Sequence, residues 1–326
     1  MRKARVALIG LGGWGGTQSR PAVGETGNLE LVTWFDANSD VVAECRDKMP
    51  VPPAASFDEV LDNEDVEGVI LIVPNHIHKQ LTIQAAGRGK HVWIEKPVAN
   101  TVAEADAMIQ ACEDAGVILQ VGHSLRRQPA VRLMREMIED GKIGELAMLE
   151  AHQSHRGGWT LTPEQWRWYN EKCPGGPLNL LGIHQIDNFN YLLGGAEEVT
   201  AMASKRVLDC EIDEIYQTTI RFRNGVLGHI GDTYITPGKT WIAAYGTTGW
   251  IEYNFLTNAL TVFDIDGKPE QIEVEAINLI VDQFREFGEC IVTGKRPETS
   301  GIEARAAVAI MEAAIESART GKTVKL

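Results

Sequence analysis

A short glycine-rich segment near the amino terminus limits most strongly what this chain can fold into. Residues 10–15, GLGGWG, directly follow the apolar run Arg5–Ile9 and are expected to open a helix. Glycines there permit a tight turn and a close approach of the backbone to a pyrophosphate, and the helix start offers N–H groups to phosphates. Trp14 is expected either to lie over the dinucleotide or to cover the domain surface. The segment predicts a dinucleotide site that includes Gly10, Gly12, Gly13, Trp14 and Gly15.

Strand-like and helix-like stretches alternate over residues 1–124, which is typical of βαβ units and a parallel sheet. The strand-like runs are Arg5–Ile9, Leu29–Phe35, Gly68–Val73, His91–Ile94 and Gly116–Val121. The helical stretches between them include Val41–Lys48, Lys79–Gly87 and Val102–Asp114. We therefore expect an α/β protein whose first domain, residues 1–124, is an NAD-binding Rossmann domain with a parallel sheet.

The pattern changes after His123 and predicts a second domain over residues 125–326. Strands dominate there, and the dipeptides Asn224-Gly225 and Asp266-Gly267 are strong hairpin signals. The strands flanking the first dipeptide are Tyr216–Phe222 and Val226–Ile235, and helices are expected at Arg126–Asp140, Ile277–Val292 and Ile302–Thr320. These signals predict a second α/β domain with a mostly antiparallel sheet, whose C-terminal helix can pack back on the first domain.

Asp36 ends the second predicted strand, 26 residues after Gly10. A carboxylate in that place accepts the ribose hydroxyls of the adenosine and repels the 2′-phosphate of NADP. Ala37 and Asn38, which follow, supply no cation for such a phosphate. The sequence therefore favours NAD over NADP.

Charge and cysteine content narrow the partners and the compartment. The formal net charge is −14, which argues against nucleic acid and anionic membranes as partners. The five cysteines are scattered and include no CxxC pair, which favours a reducing compartment. No segment approaches the roughly 20 apolar residues that cross a bilayer. We expect a cytoplasmic protein with a small-molecule substrate.

Several further segments together resemble a known family. They are VPNHIH at residues 73–78, HVWIEKP at 91–97, GGPLNLLGIHQID at 175–187, and the closing stretches TGKRPETSGIEA and SARTGKTVKL. The most specific part is Glu95-Lys96-Pro97 after a strand, combined with the GIHxxD pattern around His184. Over nearly its whole length the chain resembles the Gfo/Idh/MocA oxidoreductases, the glucose–fructose oxidoreductase and inositol dehydrogenase group.

The resemblance implies roles for individual residues. Lys96 is expected to reach the reacting oxygen and the nicotinamide ribose, and His184 to be the acid/base. The residues expected to line the dinucleotide in addition are Pro74, Asn75, His78, Glu95 and Lys96, with a structural role as the alternative for His78. The family's open sheet often forms a subunit interface, which implies a homodimer or homotetramer.

The chemistry independently favours Lys96 and His184 as the catalytic pair. Hydride leaves a carbinol carbon only as its hydroxyl loses a proton, and imidazole ordinarily titrates near neutral pH. A fixed ammonium would stabilise the developing alkoxide. The prediction requires that the two side chains converge on the same nicotinamide carbon.

One residue departs from the family pattern. The family usually places an aspartate four residues before the histidine, and this chain has Leu180 there. The rotation of about 100° per residue of an α-helix turns the neighbouring Asn179 away from that place. Asp187, three residues after His184, is expected either to orient the imidazole or only to cap or bridge the helix. Asn179 and Asp187 remain candidate substrate contacts, and the missing carboxylate admits chemistry beyond simple dehydrogenation.

Aromatic and basic side chains supply the other candidate substrate contacts. Trp159, Trp166 and Arg167 lie in the stretch WTLTPEQWRWY. Aromatic faces stack on the apolar faces of sugar rings and indole N–H groups donate to hydroxyls, although packing of a loop against the sheet explains them equally well. Arg127 is expected either to approach the nicotinamide or to remain a solvated charge. No metal site is predicted.

The sequence thus predicts an NAD-dependent oxidoreductase that transfers hydride between the nicotinamide and a hydroxyl or keto carbon of a sugar or polyol. One alternative is an enzyme that retains its NAD and uses transient oxidation, as a glycosidase or isomerase would. The other is a non-catalytic NAD-binding regulator. The joint presence of Lys96 and His184 disfavours the regulator, because a sensor needs neither.

Overall fold

The computed structural model describes residues 2–13 and 15–326, so the predicted cofactor residue Trp14 lies outside the described residues. The chain divides into two compact units. The first contains the residues up to His123 together with Asn278–Arg305, and the second contains Ser124–Ile277 together with Ala306–Leu326. The first change of unit lies beside the predicted boundary, whereas Asn278–Arg305 leaves the predicted second domain and joins the first unit.

Strands and helices follow one another as alternation predicts in the first part of the chain. The strands are β1 (Ala4–Ile9), β2 (Leu29–Phe35), β3 (Gly68–Leu71), β4 (His91–Ile94), β5 (Leu119–Val121), β6 (Leu146–Ser154), β7 (Ala196–Ser204), β8 (Ile215–Phe222), β9 (Leu227–Thr233), β10 (Lys239–Gly246), β11 (Gly249–Asn254), β12 (Ala259–Asp264), β13 (Pro269–Ile272) and β14 (Val324–Lys325). The α-helices are α1 (Arg20–Glu25), α2 (Ser39–Cys45), α3 (Phe57–Asp62), α4 (His78–Gly87), α5 (Val102–Asp114), α6 (Pro129–Glu139), α7 (Ile183–Leu193), α8 (Leu279–Thr293) and α9 (Gly301–Thr320).

The first unit is built on a five-stranded parallel sheet in the order β2-β1-β3-β4-β5, which confirms the predicted Rossmann sheet. All four residues of β3 are buried, as its continuous apolar sequence indicates for a strand covered on both faces. Helix α8 contributes Phe284 and Phe287 to the core beside this sheet. The rings of Trp93 and Phe284 meet edge to face with centroids 4.8 Å apart. This packing is why α8 belongs to the first unit.

The second unit is built on a nine-stranded sheet in the order β13-β12-β11-β10-β6-β9-β8-β7-β14. Only the β6–β9 pair is parallel, so the predicted mostly antiparallel sheet is confirmed. Both predicted hairpins form, with Gly225 at φ 86° between β8 and β9 and Gly267 at φ 78° between β12 and β13. Glycine adopts these left-handed angles without a steric penalty.

The two faces of this sheet differ. On one face Gly228 of β9 leaves room for Phe189 of α7, because a Cβ at that glycine would lie 2.8 Å from the ring. The other face carries partly exposed apolar side chains. Met148 of β6 is paired with Leu227 of β9, and Met202 of β7, which is 77% exposed, lies on the same face. One face therefore packs against helix α7, and the opposite face presents these apolar side chains beside polar ones such as the Arg221–Glu198 ion pair.

Several predicted boundaries shift for local reasons. Helix α6 begins at Pro129 rather than at Arg126, because the extended Gln128 precedes a proline and such residues disfavour helical angles. Residues Leu125–Arg127 form a short 3₁₀ turn instead. Strand β5 starts at Leu119 rather than at Gly116, since Gly116 has φ 64° and belongs to the turn after α5.

Candidate active site

The glycine segment after β1 forms a narrow turn with an open side. Gly10 has φ 85°, and a Cβ there would lie 2.1 Å from the carbonyl oxygen of Ile72, so only glycine fits. A Cβ on Gly13 would meet no heavy atom within 4 Å. A π-helical turn, Gly15–Ser19, follows before α1, where the sequence predicts that the helix opens directly. The segment therefore offers an open backbone surface at the end of β1, as a bound pyrophosphate requires.

Asp36 lies next to this segment at the end of β2. Its carboxylate accepts hydrogen bonds from the backbone N–H of Leu11, over 2.7 Å, and from that of Asn38, over 2.8 Å. Asn38 in turn caps α2 by accepting from the N–H of Asp40. The carboxylate is thus fixed at the carboxyl edge of the parallel sheet, where the predicted ribose contact requires it.

His78, which the sequence placed among the dinucleotide contacts, lies inside the fold. Its side chain is fully buried at the start of α4. Nδ1 lies 2.9 Å from the carbonyl oxygen of Pro97, and Nε2 lies 3.0 Å from that of Val73. Burial lowers the pKa of His78 to about 4, and the nearby carbonyl groups act in the opposite direction. Because both ring nitrogens face backbone carbonyls, the ring connects the segments that follow β3 and β4, as the structural alternative for this residue expects. Pro74 and the buried Asn75 lie just before it.

Lys96 lies where the chain leaves β4. The N–H of Glu95 bonds to the carbonyl of Leu71 in β3 over 3.1 Å, and the N–H of Lys96 donates to the Glu95 carboxylate over 3.2 Å. Lys96 is partly exposed, whereas Pro97 and Val98 are buried. The carboxyl ends of parallel strands share one edge of a sheet, so Lys96, Asp36 and the glycine segment lie along the same edge.

The segment before His184 is a π-helix, which corrects the geometry that the sequence predicts. Residues Leu178–Gly182 form π turns, and the N–H of Ile183 bonds to the carbonyl of Leu178, five residues earlier. In such a turn residues five apart come closer in phase than in an α-helix. Asn179 is five residues before His184, so the α-helical rotation that turned it away does not apply here. Its side chain is fully buried, and His184 is partly buried at the second position of α7.

Leu180 occupies the position where the family usually has an aspartate. It packs against a small buried cluster formed by Cys173, Cys210 and Ile212. Trp166 and Trp168 pack against the same cluster. The apolar surroundings explain why a leucine is stable here, and the carboxylate of the family pattern has no equivalent at this position.

Asp187 pairs with Arg126. Arg126 donates through Nε to Oδ2 of Asp187 over 2.7 Å and through Nη2 to Oδ1, and both side chains are at most 5% exposed. The carboxylate thus bridges α7 to the segment before α6, and its role as a substrate contact stays a prediction. Arg127 is also buried rather than solvated, with 4% of its surface exposed.

Asp232 is a buried acid that sequence reasoning missed. It lies on β9, is fully buried, and neither carboxylate oxygen has a hydrogen-bond partner among the residues that the structure describes. Burial raises its pKa well above the usual range. A Cβ at Gly182 would lie 2.1 Å from its Oδ2, so the acid packs directly under the π-helix. Its only signal in the sequence is an inward strand position, two residues after the buried Ile230.

The tryptophan-rich stretch divides into covered and open residues. The Arg167 guanidinium lies over the Trp166 ring, 4.5 Å from its centroid. These two predicted substrate contacts therefore pack against one another. Trp159 is 51% exposed, and its indole N–H donates to the carbonyl of Ile235 over 2.8 Å. The structure thus fixes the Trp159 ring while leaving part of its surface open.

Within residues 2–13 and 15–326, no group of three or more His, Cys, Asp or Glu side chains is arranged to hold a metal ion. None of the helices in this part of the chain is both long and apolar enough to cross a membrane.

Two family models match consecutive parts of the chain. The model described as "Oxidoreductase family, NAD-binding Rossmann fold" matches residues 4–123, and the GFO/IDH/MocA C-terminal domain matches residues 131–252. Together they cover most of both units.

Individual relatives are similar at a lower level of identity. Levoglucosan dehydrogenase of Pseudarthrobacter phenanthrenivorans is 28% identical over 68% of this chain, and the alignment spans 64% of that relative, slightly less than two thirds of its length. The 1,5-anhydro-D-fructose reductase of Ensifer adhaerens is 27% identical over 83% of each chain. Among solved structures, the aldose–aldose oxidoreductase of Caulobacter crescentus complexed with glycerol superposes with a TM-score of 0.91 at 29% identity, covering 100% of both chains.

Proposed function

The chain belongs to the GFO/IDH/MocA family of NAD-binding oxidoreductases, and from this premise we propose that it transfers hydride between NAD and a hydroxyl or keto carbon of a sugar or polyol. The observation that carries the proposal is the carboxyl edge of the parallel sheet. The open glycine segment, the fixed Asp36 carboxylate and Lys96 all lie along it. The names of the two relatives and of the solved structure, each referring to a sugar or sugar derivative, support the substrate class.

The residues present fit a dinucleotide. Gly10, Gly12 and Gly13 leave backbone without side chains at the end of β1, and Asp36 offers a carboxylate to ribose hydroxyls. We infer NAD rather than NADP, because a carboxylate in this place repels a 2′-phosphate. Pro74, Asn75 and Glu95 complete the proposed contacts. When bound, the nicotinamide accepts or supplies the hydride.

Side chains of the protein transfer the hydroxyl proton and stabilise the charge on the reacting oxygen. We propose that His184 takes the hydroxyl proton at an imidazole nitrogen as the carbinol is oxidised and returns it in the reverse direction. The Lys96 ammonium stabilises the negative charge that develops on the same oxygen. We also propose that the open face of Trp159 stacks on the sugar ring.

A panel of aldoses, anhydrosugars and inositols with NAD and NADP, followed by absorbance of the reduced nicotinamide, tests this function. The preferred substrate is then used to compare Lys96→Ala with Lys79→Ala, an exposed lysine on α4. We expect Lys96→Ala to abolish hydride transfer while NAD affinity stays within about tenfold, because electrostatic stabilisation acts on the transition state. Lys79→Ala should behave as wild type. Unchanged turnover in Lys96→Ala would overturn the assignment.

The packing of Leu180 favours a second candidate function. An apolar residue on the Cys173–Cys210–Ile212 cluster removes a carboxylate that would otherwise help to bind substrate. An enzyme that retains NAD and oxidises its substrate only transiently is the alternative. Conversion of substrate without accumulation of reduced nicotinamide would support this alternative over net dehydrogenation.

We also propose a homo-oligomer in the cytoplasm. Met148 and Leu227 lie side by side on the face of the nine-stranded sheet opposite α7, next to the Arg221–Glu198 ion pair, and a second copy can cover this mixed surface. The five cysteines are present as thiols, which a reducing compartment maintains. The molar mass in solution tests the first proposal, and Leu227→Arg should lower it to that of a monomer.

A further inference from the structure

His78 connects the end of one strand to the turn that carries Lys96. We propose that His78 is a positioning residue, which holds the Lys96–Pro97–Val98 turn in place so that the Lys96 ammonium is fixed at the sheet edge. The inference rests on the proposed function, because it assigns the effect of His78 to Lys96. His78 itself is buried and touches neither substrate nor cofactor in this account.

The contacts of the ring define the connection. Nδ1 lies 2.9 Å from the carbonyl oxygen of Pro97 and 3.2 Å from that of Val98, one and two residues beyond Lys96. Nε2 lies 3.0 Å from the carbonyl oxygen of Val73, in the segment after β3. A planar ring with two opposed nitrogens thus spans the segments that follow two neighbouring strands, β3 and β4.

The location makes this connection effective. His78 is the first residue of α4 and is fully buried, so its ring has a single packed position. Backbone carbonyls only accept hydrogen bonds and a neutral imidazole has a single N–H, so the proposal requires the tautomer that carries this N–H on Nδ1, the nitrogen that faces two carbonyls of the turn. Lys96 is attached directly to that turn, and its ammonium must reach one oxygen atom. Displacement of a catalytic group by about 1 Å can cost on the order of 100-fold in rate.

Two substitutions separate the nitrogens of the ring. The amide nitrogen of asparagine falls near the place of Nδ1, and that of glutamine falls near the place of Nε2. His78→Asn therefore retains a donor toward Pro97, whereas His78→Gln moves the donor to the Val73 side. Both variants put a neutral amide in the place of a neutral imidazole, so they are matched in polarity and differ in which carbonyl receives an N–H.

The experiment measures kcat, KM for the sugar or polyol, NAD affinity and Tm for both variants beside wild type. We expect His78→Asn to keep kcat within about threefold and His78→Gln to lose about 10- to 100-fold in kcat, with KM and NAD affinity within about threefold in both. Equal kcat in the two variants, or a greater loss in His78→Asn, overturns the proposal. A loss that follows Tm rather than the nitrogen retained also overturns it, because that is the result of a purely structural role.

Should His78→Gln fail to fold, His78→Ala with and without added imidazole decides the matter. Restoration of kcat by imidazole at unchanged KM supports the proposal, and a folded variant that imidazole does not restore overturns it. Lys96→Ala measured in parallel separates the two levels of the account. If Lys96→Ala is as active as wild type, the proposed function fails; if it is inactive while His78→Gln equals wild type, only the role of His78 fails.

Discussion

The carboxylate of Asp36 accepts a hydrogen bond from the backbone N–H of Leu11 over 2.7 Å, which ties the end of β2 to the glycine segment after β1. Asp36→Asn keeps an oxygen for this bond but removes the charge. We expect KM for NAD to rise about 10- to 150-fold, as loss of a charged hydrogen bond of about 1.5–3 kcal/mol implies, and KM for NADP to fall. Initial rates with both cofactors measure this, with the exposed Asp40→Asn as control. An unchanged ratio of the two KM values would contradict the ribose contact.

The buried pair of Arg126 and Asp187 predicts a large effect on stability. Asp187→Ala leaves the guanidinium buried without its partner, and breaking a buried pair from one side costs about 3–5 kcal/mol. Glu139→Gln, which affects the exposed pair with Arg135, should cost less than about 1 kcal/mol. Urea unfolding gives both free energies. Equal losses in the two variants would show that burial of the first pair does not matter.

Because Gly182 and Asp232 are in close contact, we expect substitutions at the two positions to have coupled effects on stability. A Cβ at position 182 would lie 2.1 Å from Oδ2 of Asp232, and overpacking of this kind costs about 1–3 kcal/mol. Gly182→Ala should therefore destabilise the protein, and Asp232→Ala should relieve most of that loss by vacating the space. A double-mutant cycle on the free energy of unfolding measures the coupling. Additive effects would mean that the two residues do not meet.

Burial of His78 predicts loss of stability in acid. Its pKa is lowered from the usual 6.5 to about 4, so between these pH values the unfolded chain binds a proton that the folded chain does not. Stability from this group is therefore complete above pH 6.5 and falls as the pH drops toward 4, by at most about 3 kcal/mol. His78→Asn has no such titration and should lose less stability between pH 7 and pH 4.5. Parallel losses in the two proteins would contradict this assignment.

Local sequence signals predicted the fold well because they depend on neighbours in the chain. Helix α5, Val102–Asp114, agrees with its prediction at both ends, and both hairpin dipeptides lie between antiparallel strands. Periodicity, glycine turns and strand alternation act over a few residues, so the parallel and antiparallel sheets followed from them.

Long-range packing decided what the sequence did not predict. Arg126 and Asp187 are 61 residues apart, and no local pattern indicates that they pair. The π-helix at Leu178–Gly182 packs against Asp232 of β9, which is far away in the sequence. A prediction that assumes α-helical spacing cannot include this contact. The position of Asn179 relative to His184 therefore follows only from the folded structure. The same is true of the burial of His78.

The central claim is that Lys96 and His184 act on one hydroxyl. A crystal structure of the protein with NAD and the polyol selected by the substrate panel tests it most directly. The account predicts that Nζ of Lys96 and an imidazole nitrogen of His184 both lie within hydrogen-bond reach, about 2.6–3.2 Å, of the oxygen on the carbon that faces the nicotinamide. A complex in which either nitrogen bonds elsewhere, with that oxygen held by other groups, would contradict it.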